Sequence, residues 1–420
     1  MNKRKNLFLL MAIWPFCIMN GQLTIEACQE MARQNYPQVR QFDLIQQSAD
    51  YNLSNAGKNW LPQVSLSARA TYQSDATSIS VPQLSLDITL PKDQYQAVLE
   101  ATQLVWDGGV NTSQKNIIKA TAAVDKEKLE VELYTLKDRV NQVFFGLLLI
   151  EDQLLQNRTL QEELQTNYDR VNAYVVNGVA NQADLDAISV EKLNNQQRRL
   201  ELIASEKSFR QMLSALTGKP ISETTNLIKP LPVYAGVNLA DIKRPELRLF
   251  DSQLNLLNNQ ENMVRAGNLP KLGLFLQGGY GNPGLNMFKE GFSAYYLGGI
   301  RLSWTINGFY TQKNNLRTLE NTKDGVAVQR ETFLFNNNLI IVRQNNEIEK
   351  IREQLKQDDE IIRLRGNIKQ ASSVKVENGT MTVADLLRDI NAENLAKTQR
   401  SLHEIQLLMA VNALKYSVNQ

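Results

Sequence analysis

The chain has 420 residues, of which 43% are hydrophobic, and a formal charge of +2, a length that allows two or three domains. Three of its 46 basic residues, Lys3, Arg4 and Lys5, stand in what reads as a cleavable leader, so the remainder is near neutral and lacks the concentrated basic surplus of a nucleic-acid binder. One histidine and two cysteines are too few to build a zinc site or a Cys/His nucleophile pair.

Behind Lys3-Arg4-Lys5 an apolar stretch runs from Leu7 to Met19, followed by Gly21-Gln22. This is the pattern of a secretory signal peptide over 1–21, its apolar run of about 13 residues being too short to span a bilayer. Bulky Phe16 ahead of Cys17 argues against lipid attachment there. Removal of the leader leaves Cys28 alone, so no internal disulfide is expected. No later segment has ~18 consecutive apolar residues, so no transmembrane helix is expected either. Such an exported chain is periplasmic, secreted or a β-barrel, and a barrel must be sought strand by strand.

The first mature element is a helix over 24–58, with Val39, Phe42, Ile45, Ala49, Leu53 and Ala56 on one face. Pro62 ends it. A β-hairpin follows over 62–106. Val64, Leu66, Ala68, Ala70 and Tyr72 alternate with Ser65, Ser67, Arg69 and Thr71, the period of a strand with one apolar face. On the return strand Tyr95, Ala97, Leu99 and Ala101 alternate less cleanly with Gln96, Val98, Glu100 and Thr102. An extra alternating run, Leu84, Leu86, Ile88 and Leu90, reads as an extension of the outer loop within 76–94.

From 111 to 177 there is no proline and only one glycine, Gly146. Leu129, Leu133, Leu136, Val140, Val143 and Leu147, then Leu160, Leu164, Tyr168, Val171 and Val175, fall on one helical stripe. At ~1.5 Å per residue this helix is roughly 100 Å long, far beyond the ~8–20 residues of a globular helix. A turn at Asn177-Gly178 leads to a helix over 184–217. Pro220, Pro230 and Pro232 then mark an irregular strap over 218–240.

The second half restates the first. Tyr36-Pro37 and Leu61-Pro62 return as Arg244-Pro245 and Leu269-Pro270 at the same separation. Gln103-Leu104-Val105-Trp106 returns as Arg301-Leu302-Ser303-Trp304, and Asn177-Gly178 with Ala183-Asp184-Leu185 returns as Asn378-Gly379 with Ala384-Asp385-Leu386. The chain reads as a tandem duplication, 22–217 and 241–420. The second copy has a helix over 241–267, a hairpin over 270–304, a long helix over 311–376 and a helix over 383–418. Leu272, Leu274, Leu276, Gly278 and Tyr280, and Ala294, Tyr296, Gly298, Ile300 and Leu302, supply its strands. Each strand is near the ~9–11 residues of a tilted membrane strand. Trp106 and Trp304 fall where strands end, as interface aromatics do, and Tyr72 and Tyr280 are counted with them.

In each half the two shorter helices together match the long one, so they are expected to lie end to end beside it. The hairpins then emerge at one end and the Asn-Gly turns at the other, with the strap across the middle. Four strands cannot close a barrel, the smallest bacterial ones having ~8, and open edges are not tolerated in a membrane. Membrane strands here would require oligomerisation. The competing reading is of two soluble hairpins whose tryptophans anchor a small core.

The order of these motifs resembles the TolC-like outer-membrane efflux proteins over nearly the whole mature chain, from Leu23-Thr24-Ile25-Glu26-Ala27 onward. The residues that carry it are Tyr36-Pro37, Leu61-Pro62, Trp106-Asp107-Gly108-Gly109 and the two Gly-centred turns. The resemblance implies an α+β membrane protein of the bacterial outer membrane. It would be a homotrimer with a shared 12-stranded β-barrel in the lipid and an α-helical barrel of long hairpins in the periplasm. Its role would be a passive exit duct of a tripartite efflux pump, carrying small molecules handed over by an inner-membrane transporter and a periplasmic adaptor. Within the class the alternative is the exit duct of a type I protein-secretion system. The alternative from another class is a soluble periplasmic coiled-coil structural or adaptor protein, against which four paired strands with terminal tryptophans argue.

By the same resemblance the turns Asn177, Gly178, Val179, Ala180 and Asn378, Gly379, Thr380, Met381 contact the adaptor. Asp385 matches a lumen-facing gate carboxylate, and Asp184 is its counterpart in the first half. Three copies of such an acid would ring the axis with negative charge, although aspartate is favoured in any first helical turn. Met381 stands where some relatives carry a locking arginine, and Arg388 where a second gate acid occurs, so the closed-state network departs from the family pattern. His403 sits on a polar helix beside Glu404, and Gly218-Lys219-Pro220 lacks the rest of a phosphate-binding loop. No catalytic residue, cofactor, metal site or nucleic-acid partner is expected.

Overall fold

The computed structural model describes residues 23–81, 86–233, 242–289 and 291–419. The leader over 1–21 with Cys17, Leu84 of the outer run and strap residues 234–240 lie outside the described residues.

Helix α1 (Ile25–Asn35) starts at Thr24, whose hydroxyl accepts from the Ala27 amide at 3.2 Å, the standard satisfaction of an orphan donor. The apolar spacing predicts one helix through to Lys58, but the chain breaks at Tyr36, which is extended at φ −67°, ψ 125°. Pro37 is the cause, since it disfavours helical backbone before it and has no N–H to donate. A short 3-10 turn, Pro37–Arg40, leads into α2 (Gln41–Lys58).

Strands β1 (Gln63–Tyr72), β2 (Ser78–Val81), β3 (Leu86–Thr89) and β4 (Asp93–Trp106) follow. The extra alternating run becomes a real element, with β2 and β3 pairing in a separate two-stranded ribbon. Next come α3 (Val110–Val176), 67 residues without interruption, and α4 (Gln182–Thr217). The second half gives α5 (Pro245–Ala266), β5 (Lys271–Asn282), β6 (Ser293–Ser303), α6 (Gly308–Glu377) and α7 (Val383–Val418). Helix α5 starts at Pro245 rather than 241, because proline at the first helical position has a preset φ and no orphan N–H.

The chain forms two compact units, each taking segments from both sequence halves. One comprises Arg40–Glu132 and Arg244–Asn336. Its centre is a four-stranded antiparallel sheet in the order β1-β4-β5-β6. Asp107 sets the corner from β4 into α3, its buried carboxylate accepting from the Gly109 amide at 2.9 Å and the Asn111 amide at 2.6 Å. Polar bridges tie the helices below the sheet, Lys126 to Gln46 at 2.6 Å, Arg248 to Glu127 at 3.0 Å and Lys323 to Glu261 at 2.7 Å.

The other unit takes its described residues from within Met1–Val39, Leu133–Lys243 and Asn337–Gln420. Its main core packs Leu136, Val140, Phe144 and Leu147 of α3 against Ile25 and Cys28 of α1, Leu213 of α4 and Ile405 and Leu408 of α7. Each aliphatic or aromatic side chain among these contributes about 1.5–3 kcal/mol by its burial. This accounts for the middle of the α3 stripe, where Phe145 and Leu148 beside it are buried as well. A second cluster packs Ile348 and Ile351 of α6 on Val411, Leu414 and Val418 of α7.

The strap is stitched to this unit. Leu23 forms a parallel bridge to Leu227, its amide donating to Asn226 O and its carbonyl accepting from Ile228 N, both at 3.0 Å. Buried Arg210 of α4 reaches Glu151 of α3 at 2.6 Å, Glu206 at 2.8 Å and the strap carbonyls of Ser222 at 2.8 Å and Thr225 at 3.3 Å. His403, expected on a polar helix face, lies in a more enclosed setting. It is mostly buried, and its Nδ1 lies 2.6 Å from Asp358 of α6.

Candidate functional site

Two surfaces answer to the residues singled out in the sequence. The first is one face of the sheet. Across β1 and β4, Val64, Leu66, Ala68 and Ala70 stand opposite Ala101, Leu99, Ala97 and Tyr95. Across β4 and β5, Ala101, Leu99 and Ala97 stand opposite Leu276, Gly278 and Tyr280. Across β5 and β6, Leu272, Leu274, Leu276, Gly278 and Tyr280 stand opposite Leu302, Ile300, Gly298, Tyr296 and Ala294. Directly opposed residues of antiparallel strands project to the same side. Four separate period-two stripes therefore merge into one apolar face, and the untidy β4 alternation falls into line with its neighbours.

That face is open. Leu66 is 76% exposed, Tyr296 82% and Ile300 71%, whereas a soluble sheet buries such a face in a core. Its charged residue in these four strands is Asp93, at the rim beside Tyr72. Aromatic residues sit at both ends of it. Trp106 closes β4 at one end, with Trp304 one residue past β6, its indole N–H donating to Asn268 O at 3.0 Å. At the other end are Tyr72, Tyr95 and Tyr280, the last stacked on Phe292 with ring centroids 5.5 Å apart. The opposite face is polar and carries Arg69, Gln96, Glu100, Gln277, Tyr295 and Arg301. Within this sheet both outer strands, β1 and β6, have one edge without a strand partner.

The second surface is the pair of helix–helix turns. Gly178 adopts φ 70° and Gly379 φ 69°, the left-handed conformation that side-chain-bearing residues resist. Around the first, the Val179 amide donates to Tyr174 O at 2.8 Å and the Gly178 amide to Val175 O at 3.0 Å. Around the second, Thr380 donates to Lys375 O at 2.9 Å and Gly379 to Val376 O at 3.0 Å. These are two Schellman closures of the same register. Asn177 and Asn378 donate back to Ala173 O and Val374 O at 2.7 and 2.8 Å.

Each following helix is capped the same way. Asn181 accepts from the Asp184 amide at 3.0 Å in a capping box, and Thr382 accepts from the Asp385 amide at 3.2 Å. Asp184 and Asp385 are thus both the third residue after a cap, and Arg388 pairs with Asp385 one turn along α7. Beneath the turns, Leu164 and Val171 of α3, Leu185 and Ile188 of α4, and Val383, Leu386, Leu387 and Ile390 of α7 share one apolar cluster.

The structure adds polar contacts between these two hairpins that sequence reading missed. Arg170 of α3 reaches Glu377 of α6 at 2.7 Å and Ser373 at 2.8 Å. Lys369 of α6 lies between Glu163 of α3 at 2.8 Å and Glu393 of α7 at 2.5 Å, and Lys397 joins Glu393 at 2.8 Å. Burial alone would lower the Lys369 ammonium, but its two carboxylate partners outweigh it and hold it above the usual lysine value. Burial likewise pushes Glu393 up, and Lys369 and Lys397 more than reverse this, leaving it below the usual carboxylate value. No short motif marks these residues, because each pairing joins positions far apart in the chain.

Among the described residues no helix is long and apolar enough to cross a membrane, and no three His, Cys, Asp or Glu side chains are grouped to hold a metal ion. No protein-family model matches the sequence and no curated protein does. Solved structures do match. The outer membrane protein VceC of Vibrio cholerae aligns with TM-score 0.66 at 13% identity, covering 94% of this chain and 95% of that one. The CmeC outer membrane channel of Campylobacter jejuni aligns with TM-score 0.65 at 15% identity, covering 94% and 85%. The MtrE outer membrane channel of Neisseria gonorrhoeae, solved in its open state, aligns with TM-score 0.66 at 14% identity, covering 94% and 88%. The chain, with its long helical hairpins and four-stranded sheet, has the fold of the TolC-like outer-membrane channels.

Proposed function

We propose that this protein is an exit duct of the bacterial outer membrane, assembled from three copies of the chain. The observation that carries the reading is the continuous exposed apolar face across all four strands, on a sheet whose outer strands each lack a partner on one side. Lipid covers such a face at no cost, and pairing β6 of one copy with β1 of the next removes every open edge. Trp106 and Trp304 then lie at one lipid–water boundary and Tyr72 and Tyr280 towards the other. The helices extend into the periplasm, and the duct passes small molecules delivered by an inner-membrane transporter through a periplasmic adaptor.

In this reading the turns Asn177–Ala180 and Asn378–Met381 are the adaptor contacts, and Asp385, Asp184 and Arg388 line the entrance. The contacts from Arg170 and Lys369 hold the two hairpins together when the entrance is closed. Membrane fractionation and cross-linking of the purified protein in detergent test the proposal. The expected result is outer-membrane recovery and a cross-linked trimer. A monomer that stays soluble without detergent refutes it. Cysteines placed at Val179 and Thr380 are expected to cross-link to the adaptor in cells, and cross-linking only at distant helix positions would remove the turns from the interface.

A further inference from the structure

We infer that the lumen of the barrel segment favours anionic solutes, an inference that rests on the duct reading above. The four long strands contain five charged residues, Arg69, Asp93, Glu100, Lys271 and Arg301. Register assigns each to a face. Arg69 stands opposite Gln96, Glu100 opposite Ser65 and Gln277, Lys271 opposite Ser303, and Arg301 opposite Gly273, all on the polar side. Asp93, opposite Tyr72, is on the apolar side at the rim. If lipid takes the apolar face, the polar face lines the lumen, and it carries three basic groups against one acid.

The acid cancels one of them. Glu100 lies 3.1 Å from the Arg301 guanidinium, which also rests over the Phe275 ring at 4.7 Å. Arg69 meets a neutral partner, donating to the Gln96 side-chain oxygen Oε1 at 3.4 Å. Among the described residues neither Arg69 nor Lys271 has a carboxylate at ion-pair distance. The position of Arg69 is also set from across the sheet. The Gln96 amide N–H donates to the Tyr295 hydroxyl, so its oxygen is turned towards Arg69. Tyr295 reaches over β5 only because Gly279 lies beneath it, and a Cβ there would fall 2.1 Å from the Tyr295 ring. Residues of β6, β4 and β1 thus cooperate to present one uncompensated guanidinium. Repeated around a three-fold axis and backed by low-dielectric walls, the basic surplus raises the local concentration of anions and lowers that of cations.

The test is the reversal potential of the full-length protein in planar bilayers under a potassium chloride gradient. The salt is kept near 0.1 M, where the screening length is about 10 Å. Arg69→Gln with Lys271→Gln leaves the Arg301–Glu100 pair intact and removes the surplus. The expected result is a fall of about threefold in the chloride-to-potassium permeability ratio, since the field of these charges reaches roughly one screening length into the lumen. The charge-conserving pair Arg69→Lys with Lys271→Arg is expected to keep the ratio. The same fall is expected in an Asp184→Asn, Asp385→Asn background, which separates the barrel from the two aspartates at the turns. A conducting channel whose ratio is unmoved by the double glutamine variant overturns the inference and leaves the duct standing, whereas a protein recovered as a soluble monomer removes the duct itself. Should the double variant not assemble, block of the unaltered channel by pyrophosphate added on the side of the β2–β3 ribbon decides the matter. Voltage-dependent block is expected, and its absence overturns the inference.

Discussion

The Phe209 ring occupies the space that a side chain at Gly146 would need: a Cβ built on Gly146 falls 2.4 Å from the ring's Cε1. The one glycine in 67 residues of α3 is therefore a packing residue, placed under the Phe209 ring of α4, which rests on the main core. In an open helix Gly→Ala gains ~1 kcal/mol, but here overpacking costs about 1–3 kcal/mol. Gly146→Ala is expected to lower the unfolding temperature, and Phe209→Leu added to it to restore most of the loss. A rise in unfolding temperature for Gly146→Ala alone would mean that the ring is not so placed.

The two faces of β4 are expected to respond oppositely to the same substitution at adjacent positions. Leu99→Lys puts an ammonium in the middle of the apolar face, at about 2–4 kcal/mol per copy in lipid. Val98→Lys puts it on the polar face. Loss of the outer-membrane trimer for the first and recovery of the trimer for the second, by gel migration with and without heating, is the expected pattern. Equal tolerance would detach the apolar face from lipid.

Contacts between the turn-bearing hairpins are expected to be unequal. Arg170→Met removes a partly exposed pair worth about 0–1 kcal/mol. Lys369→Met strips a partner from Glu163 and from Glu393, the latter almost wholly buried, and is expected to cost more, about 1–3 kcal/mol given that Lys397 stays with Glu393. Denaturant unfolding of both variants in detergent measures the difference.

The same network fixes a pH dependence. Glu393 is held below its unfolded value, so its contribution is present above roughly pH 4 and is lost as pH falls through the depressed folded value. Lys369 is held above its unfolded value, so its contribution is present below roughly pH 10 and is lost as pH rises through the raised folded value. Glu393→Gln is expected to flatten the acid limb of the stability profile and leave the neutral region parallel to that of the unaltered protein.

Cys28 is fully buried in the main core, and burial, aided by Glu26, pushes its thiol up to about 12. Thiolate is the reactive form, so the folded protein at pH 8 is expected to resist maleimide over hours and to label within minutes once denatured. Rapid labelling of the folded protein would show that the α1 packing opens readily.

Much of this architecture was legible in the sequence because it is periodic. The α3 stripe and the alternation of β1, β5 and β6 are local patterns, and Asn-Gly at both turns follows from backbone chemistry that two or three residues suffice to state. The break at Tyr36 escaped because apolar spacing continued across it while Pro37 decided the backbone. The β2–β3 ribbon was half seen, one strand without its partner. At the turns the residues can be named from the sequence but not their bonds: the Asp184 carboxylate accepts from the Asn181 amide, and that of Asp385 from the Thr382 hydroxyl. What sequence could not offer were the pairings of Arg170, Lys369 and His403, or the passage of Tyr295 over Gly279, since each depends on chain segments that meet only after folding.

The setting of Arg210 has a consequence for how this unit comes apart. One guanidinium answers two carboxylates and two strap carbonyls drawn from three different segments. Withdrawing it would orphan four acceptors together, and no segment can peel away while leaving the rest content. The strap residues around Ser222 and Thr225 are therefore expected to exchange their protected amides on the same slow timescale as the helices Arg210 ties them to, and to melt with them in a single transition.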